Sequence, residues 1–271
     1  MKLSSILVSV DLGAACADRI QLAAGLAARC EARLVGVAAC PVPLVVPARD
    51  GMAAERLADA EEKRAHERLA AAKALFEREA GAAAKRGWRW NLAPPLATLA
   101  EQARIADLVI VGRQGPADGD PSPMGVSPGP LLMEVGRPVL LVPPGLERLV
   151  PRRVVVAWKD TREARRAVHD ALPLLVGAER TAVVAVGPDA HHGGAEATAQ
   201  YLSGHGVAAT THLLPSPALS AADEVLRFCE REGADLLVTG AYGHSRLREW
   251  AFGGVTRDIL RTTPLCCLMS H

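Results

Sequence analysis

The chain has 271 residues, 49% of them apolar, and a formal net charge of +1. That length suits two α/β domains better than one, and the balanced charge removes the electrostatic argument for nucleic acid or an anionic membrane as partner. The apolar stretch at residues 6–10 is too short for a signal sequence and no other run has the length of a membrane span, so a cytoplasmic location is expected.

Taken in order, residues 6–10 read as a first strand ended by Asp11-Leu12-Gly13. An alanine-rich helix is expected over 14–30, with Ile20, Ala23, Ala24 and Ala27 on one face. A strand at 33–38 leads to an extended loop through Pro41, Pro43 and Pro47. The Ala, Glu, Arg and Lys content predicts a long helix over 52–86 with a solvated, charge-paired outer face. A strand at 88–92, a helix at 96–105, a strand at 107–111, a short helix near 131–135 and a strand at 138–142 complete a first unit. A Pro143-Pro144-Gly145 connector runs to about Pro151, and the pattern restarts. Strands at 153–157, 181–186, 207–213 and 235–239 alternate with helices at 162–175, 195–203 and 218–232. A last helix begins near Val255, and an apolar strand closes the chain at 265–269.

The two units match residue by residue. Ala106-Asp107-Leu108-Val109-Ile110-Val111-Gly112 parallels Ala234-Asp235-Leu236-Leu237-Val238-Thr239-Gly240, and Arg137-Pro138-Val139-Leu140-Leu141 parallels Thr263-Pro264-Leu265-Cys266-Cys267. This is an internal duplication. Alternating strands and helices call for parallel sheets, whose ligands lie beyond the strand C-termini at the switch point.

Cys16, Cys30, Cys40, Cys229, Cys266 and Cys267 form no zinc or Cys-x-x-Cys pattern and read as buried reduced thiols. Cys266 and Cys267 would point to opposite sheet faces. His191-His192 beside Gly193-Gly194 lacks a third ligand and reads as a solvated loop. The stretch after residue 239 carries the chemistry. Gly240-x2-Gly243-x9-Gly253 follows a buried strand, ends on a helix start, and contains His244, Arg246 and Arg248. A strand, a glycine loop and free helix N–H groups make an anion cradle; neither a P-loop nor the dinucleotide fingerprint is present.

That glycine spacing, together with the duplication, resembles the universal stress protein family in its tandem form, over essentially the whole chain. The resemblance implies two tandem Rossmann-like domains, 1–144 and 151–271, each an α/β fold with a five-stranded parallel sheet in the order 3-2-1-4-5 and helices on both faces. It implies a stress-response module that binds ATP, with Mg²⁺, through a strand-one Asp at the adenosine and the glycine loop at the phosphates. Carried onto the second copy, the site would comprise Ala157, Trp158, Lys159, Val186, Gly240, Gly243, His244, Gly253, Gly254 and Thr256. Two of these depart from the family pattern. Gly254 stands at the phosphate-binding Ser/Thr place, with Thr256 as a shifted substitute. Lys159 stands at the Asp place and cannot accept a hydrogen bond; Asp160 replaces it if the turn slips.

The first copy has Asp11 and keeps the spacing with Gly112, Gly115 and Gly125. However, Val126 holds the hydroxyl place, and Pro116, Asp118, Asp120, Pro121 and Pro123 crowd the loop. It reads as a degenerate site, with Asp11 a turn or cap residue. Two alternatives to ATP binding are an interaction scaffold without nucleotide and an enzyme using His244 as base, although no nucleophile–base pair is assembled. Pairing of 139–142 with 265–269 would make an intrachain pseudo-dimer and cover edges. A homodimer through the long helix is a further expected partner mode.

Overall fold

Runs of Val, Leu and Ile without alternation become strands buried on both faces. In the first half these are β1 (Ser5–Ser9), β2 (Arg33–Ala39), β4 (Leu108–Gly112) and β5 (Val139–Val142), with the half-exposed β3 (Arg86–Asn91) at the rim. In the second half β6 (Arg153–Trp158), β7 (Arg180–Val186), β9 (Leu236–Gly240) and β10 (Cys266–Ser270) play the same parts, with β8 (Ala209–Leu214) at the opposite rim. This computed structural model describes residues 2–43, 51–81, 85–120, 122–243 and 254–271. The ten strands form one sheet in the order β3-β2-β1-β4-β5-β10-β9-β6-β7-β8. Each half has the order 3-2-1-4-5 and is parallel throughout. The halves join antiparallel, with Met269 opposite Val139 and Cys267 opposite Leu141.

Helices α1 (Cys16–Cys30), α2 (Gly51–Glu79), α5 (Arg162–Leu175) and α6 (Ala195–Gly204) cover one face, where Ile6, Val8, Leu26, Phe76, Val168 and Leu202 share a core. Helices α3 (Pro95–Gln102), α4 (Pro128–Glu134), α7 (Ala221–Glu232) and α8 (Val255–Thr262) cover the other, around Leu7, Leu99, Leu131, Phe228 and Ile259. The duplicated Ala-Asp pair has a structural cause. Asp107 accepts the Ser4 and Ser5 amides at 2.7 and 3.0 Å, and Asp235 accepts the Arg152 and Arg153 amides at 3.0 and 2.9 Å. Each carboxylate thus fixes the start of the neighbouring strand.

Several boundaries differ from expectation. The long helix stops at Glu79, not residue 86, because Gly81 adopts a left-handed φ of 58°. Arg86, expected in the helix, opens β3 and donates back to the Gly81 carbonyl. The helix α7 starts at Ala221, where the Ser220 hydroxyl accepts the Asp223 amide at 3.2 Å. The helix expected near 131–135 begins at Pro128, a residue whose fixed φ suits a first turn. No described helix is long and apolar enough to cross a membrane. All six cysteines are free, with Cys266 and Cys267 in opposite cores; Cys30 alone is half-buried rather than buried. His191 and His192 are exposed in a 3₁₀ turn, and the described residues contain no cluster of three or more metal-ligating side chains.

Candidate functional site

The strand order β9-β6-β7 sets the second-half crevice, since the C-terminal ends of these strands open on one cavity of about 370 Å³. Its apolar end is made by Ala157, Val184 and Val186 from the strands and by Ala221 and Val225 from α7. Its opposite end is made by Gly240, Gly243, Gly254, Val255 and Thr256. Lys159 and Thr161, in the turn after β6, lie along it as well.

Each part of this turn is locally determined. Thr161 caps α5 by accepting the Ala164 amide at 3.2 Å. Asp160 turns outward to Arg165, at 3.0 and 2.6 Å, and does not line the cavity, so it does not replace the acid absent at Lys159. Trp158 is buried, its indole N–H donating to the Gly193 carbonyl.

Gly240 must be glycine: a Cβ there would fall 2.5 Å from the Ala164 amide nitrogen. Tyr242 holds the loop in a left-handed φ of 57°, with its amide donating to the Thr256 hydroxyl at 3.1 Å. Thr256 therefore lines the cavity while its hydroxyl oxygen serves as a latch. Gly254 sits in extended backbone at the N-cap of α8, without a side-chain cap. The first amides of α8 thus face a cavity end built largely of backbone, a donor-rich arrangement suited to an anion. Among the described lining residues, the only charged side chain is that of Lys159.

Eight of the ten expected site residues line this one cavity: Ala157, Trp158, Lys159, Val186, Gly240, Gly243, Gly254 and Thr256. His244 and Gly253, with Arg246 and Arg248, lie outside the described residues. Sequence reasoning missed Thr161, Ala164, Val184, Ala221, Val225, Thr239 and Val255. Of these, Ala221 and Val225 lie in the first two turns of α7, which follows a rim strand far from the glycine pattern, and only the buried stripe of that helix signals them.

The first-half crevice, about 450 Å³, is organised differently. Asp11 accepts the Gly13 amide at 3.0 Å and pairs with Arg19 at 2.8 Å. Arg19 is 3% exposed and also donates to the Ser9 carbonyl at 3.0 Å. It lies so close to β4 that a Cβ on Gly112 would fall 2.3 Å from its guanidinium. Eight residues on from Lys159, where the second copy would carry the same arginine, stands the fully buried Ala167. The loop after β4 is held by Arg113, which grips Asp118 and donates to the Thr263 carbonyl at 2.7 Å. Those hydrogen bonds hold the Asp118 carboxyl below its ordinary value against the opposing effect of burial. Gly115 abuts the end of α8, its would-be Cβ 2.1 Å from the Arg261 carbonyl. The acid and the loop of this copy are thus engaged by the protein itself.

The family model described as the universal stress protein family matches residues 190–271. The match covers about the last third of the chain. It runs from the turn after β7 through the glycine loop to the end of the chain. No curated protein matched the chain. Among solved structures, a universal stress protein from Archaeoglobus fulgidus DSM 4304 has a TM-score of 0.70 at 14% identity, over 97% of this chain and 94% of that one. A putative universal stress protein from Pseudomonas aeruginosa UCBPP-PA14 has a TM-score of 0.57 at 18% identity, over 98% and 92%. A functionally unknown protein from Pseudomonas aeruginosa PAO1 has a TM-score of 0.57 at 17% identity, over 98% and 92%. These likenesses extend the tandem universal stress protein fold across both halves.

Proposed function

We propose that this chain is a cytoplasmic stress-response module of two domains, 1–144 and 151–271, that binds an adenine nucleotide, ATP, in the crevice of the second. The reading is carried by one observation: an apolar slot and a backbone-lined end at a helix N-terminus share a single cavity of about 370 Å³. The residues fit the group. Val184, Val186, Ala221 and Val225 offer aliphatic walls to a planar base, and the amides starting α8 offer donors to phosphate. No carboxylate is among the described lining residues, so Mg²⁺ accompanying ATP would be held by phosphate oxygens and water. The first domain serves as a brace, its crevice engaged by the Asp11–Arg19 pair and its loop gripping the end of α8. Within this reading, the β5–β10 seam gives one chain the pairing that separate single-domain copies would make, and the free thiols suit a reducing compartment.

Mass spectrometry of protein purified without added ligand, followed by equilibrium dialysis against Mg-ATP, tests the reading. An adenine nucleotide retained or taken up stoichiometrically is the expected result, with uptake lost in Val225→Trp, which fills the apolar slot. A folded protein that neither retains nor takes up nucleotide contradicts it and leaves the scaffold alternative.

A further inference from the structure

Helix α8 has an end in each of the two cavities. Gly254, Val255 and Thr256 at its start line the second-half cavity, and Arg261 in its last turn lines the first-half crevice. At eight residues, about 12 Å, it moves as one rigid body. Ile259 and Leu260 bury its inner face, but apolar packing is non-directional and sets depth more than orientation. Orientation falls to the hydrogen bonds at its ends. At the start, the Thr256 hydroxyl accepts the Tyr242 amide at 3.1 Å. At the far end the contact comes from the other half of the chain, where Arg113 donates through Nη1 to the Thr263 carbonyl at 2.7 Å. That arginine is itself fixed. Asp118 accepts its Nε at 2.8 Å and its Nη2, and also accepts the Gly115 amide at 2.6 Å. The two side chains are 14% and 7% exposed, and a two-point guanidinium–carboxylate contact fixes direction as well as distance. Gly115 closes the grip, its would-be Cβ 2.1 Å from the Arg261 carbonyl. At the corresponding place after β9 stands Ala241, which has no side-chain donor.

Resting on the nucleotide reading above, we propose that Arg113 is a positioning residue for the second-half site. Held by Asp118, it fixes the far end of α8 and so sets where the first amides of that helix point. It does not line the second-half cavity and acts on the phosphates only through the helix. Donors aimed in advance at an anion bind it without the cost of being ordered by it, so the grip raises nucleotide affinity. The site of the second domain is thus completed by a side chain of the first. Linkage makes the effect reciprocal: a nucleotide drawing on the α8 amides strengthens the Arg113–Asp118 grip by the same free energy.

Calorimetric titration of the full chain with Mg-ATP tests this, with each variant shown to be folded at the titration temperature. Arg113→Ala should weaken binding about fivefold, within the range by which residues outside a site modulate it. Gly115→Ala, which drives a methyl against the end of α8, should weaken it as well. Arg113→Lys, which keeps a donor for the Thr263 carbonyl but loses the fork, should recover part of the affinity. Asp11→Asn is the control for lost stability alone, because its side chain bonds to Gly13 and Arg19 and not to α8; it should bind as the unmodified protein does. Hydrogen exchange gives the reciprocal readout: Mg-ATP should slow exchange of the Gly115 amide in the unmodified protein and not in Arg113→Ala. Equal affinity in the unmodified protein, Arg113→Ala and Gly115→Ala overturns the inference while leaving nucleotide binding intact. An equal loss in Asp11→Asn, or Gly115 exchange that ignores bound nucleotide, reduces Arg113 to a stabilising contact and overturns it too. No saturable heat from the unmodified protein removes the nucleotide reading, and this inference with it.

Discussion

Replacing Asp11 by Asn isolates what the first-half crevice does. The amide oxygen of Asn keeps an acceptor for the Gly13 N–H, so the turn survives, but the charge opposite Arg19 is lost. The two side chains are 4% and 14% exposed, with the arginine the more buried. Burial works against the arginine's charge, and Asp11 is the main opposing influence. Removing one partner of a buried pair costs about 3–5 kcal/mol when water is shut out. Here both residues line a cavity of about 450 Å³, and the carboxylate keeps 14% of its surface exposed. The expected loss is therefore lower, about 2–3 kcal/mol. Urea denaturation followed by circular dichroism measures it from the shift in midpoint at constant slope. Asp11→Asn combined with Arg19→Met, which removes both charges and keeps an apolar stem in the core, should recover most of the loss. A loss under about 0.5 kcal/mol, within the usual range for surface changes, would refute the view that this pair holds the first crevice together.

Gly240→Ala drives a methyl onto the backbone of α5 and should destabilise by about 1–3 kcal/mol, whereas Gly25→Ala, in an exposed helical position with no atom within 4 Å, should stabilise by about 0.5–1 kcal/mol; reversal of that order in urea melts would contradict the packing. Asp118 is held below its ordinary carboxylate value by Arg113, so its stabilisation is present above the unfolded pKa and disappears as pH falls through the lower folded value. Asp118→Asn should therefore flatten the acid limb of the stability profile, and an unchanged limb would argue against the pair. Burial pushes the Cys229 and Cys266 thiols up to about 12 and Cys267 well above its ordinary value. These three should resist a thiol reagent at neutral pH until the chain is unfolded, while half-buried Cys30 reacts first; rapid native labelling of Cys266 would contradict the burial.

The strands and the duplication were legible because both rest on strong signals, whereas the strand order came only through the family resemblance. Buried parallel strands are uninterrupted apolar runs, and the paired motifs ending in Gly112 and Gly240 mark the same place in each half. Helix boundaries were less legible. Charged residues through Arg86 continue a helical composition, but Gly81 at left-handed φ, not composition, ends α2. In the site, the glycine pattern found the end near α8, because such spacing has a backbone cause. It could not find Ala221 and Val225, which reach the cavity only through the way α7 lies across β6 and β7. Nor could it show Asp160 turning to Arg165, or Arg19 answering Asp11, since both depend on where a side chain finds its partner after folding.

In the proposed function, the second-half cavity accepts a polyphosphate nucleotide at its backbone-lined end. Calorimetry of Mg-ATP into the full chain, alongside Gly243→Asp with its fold checked by circular dichroism, tests that claim most directly. A carboxylate at Gly243, where a Cβ already lies 3.0 Å from Thr161, adds negative charge and bulk beside the phosphate end. Saturable heat at one site in the unmodified protein, absent from the variant, is the predicted result; equal heats from both, or none from either, would contradict it.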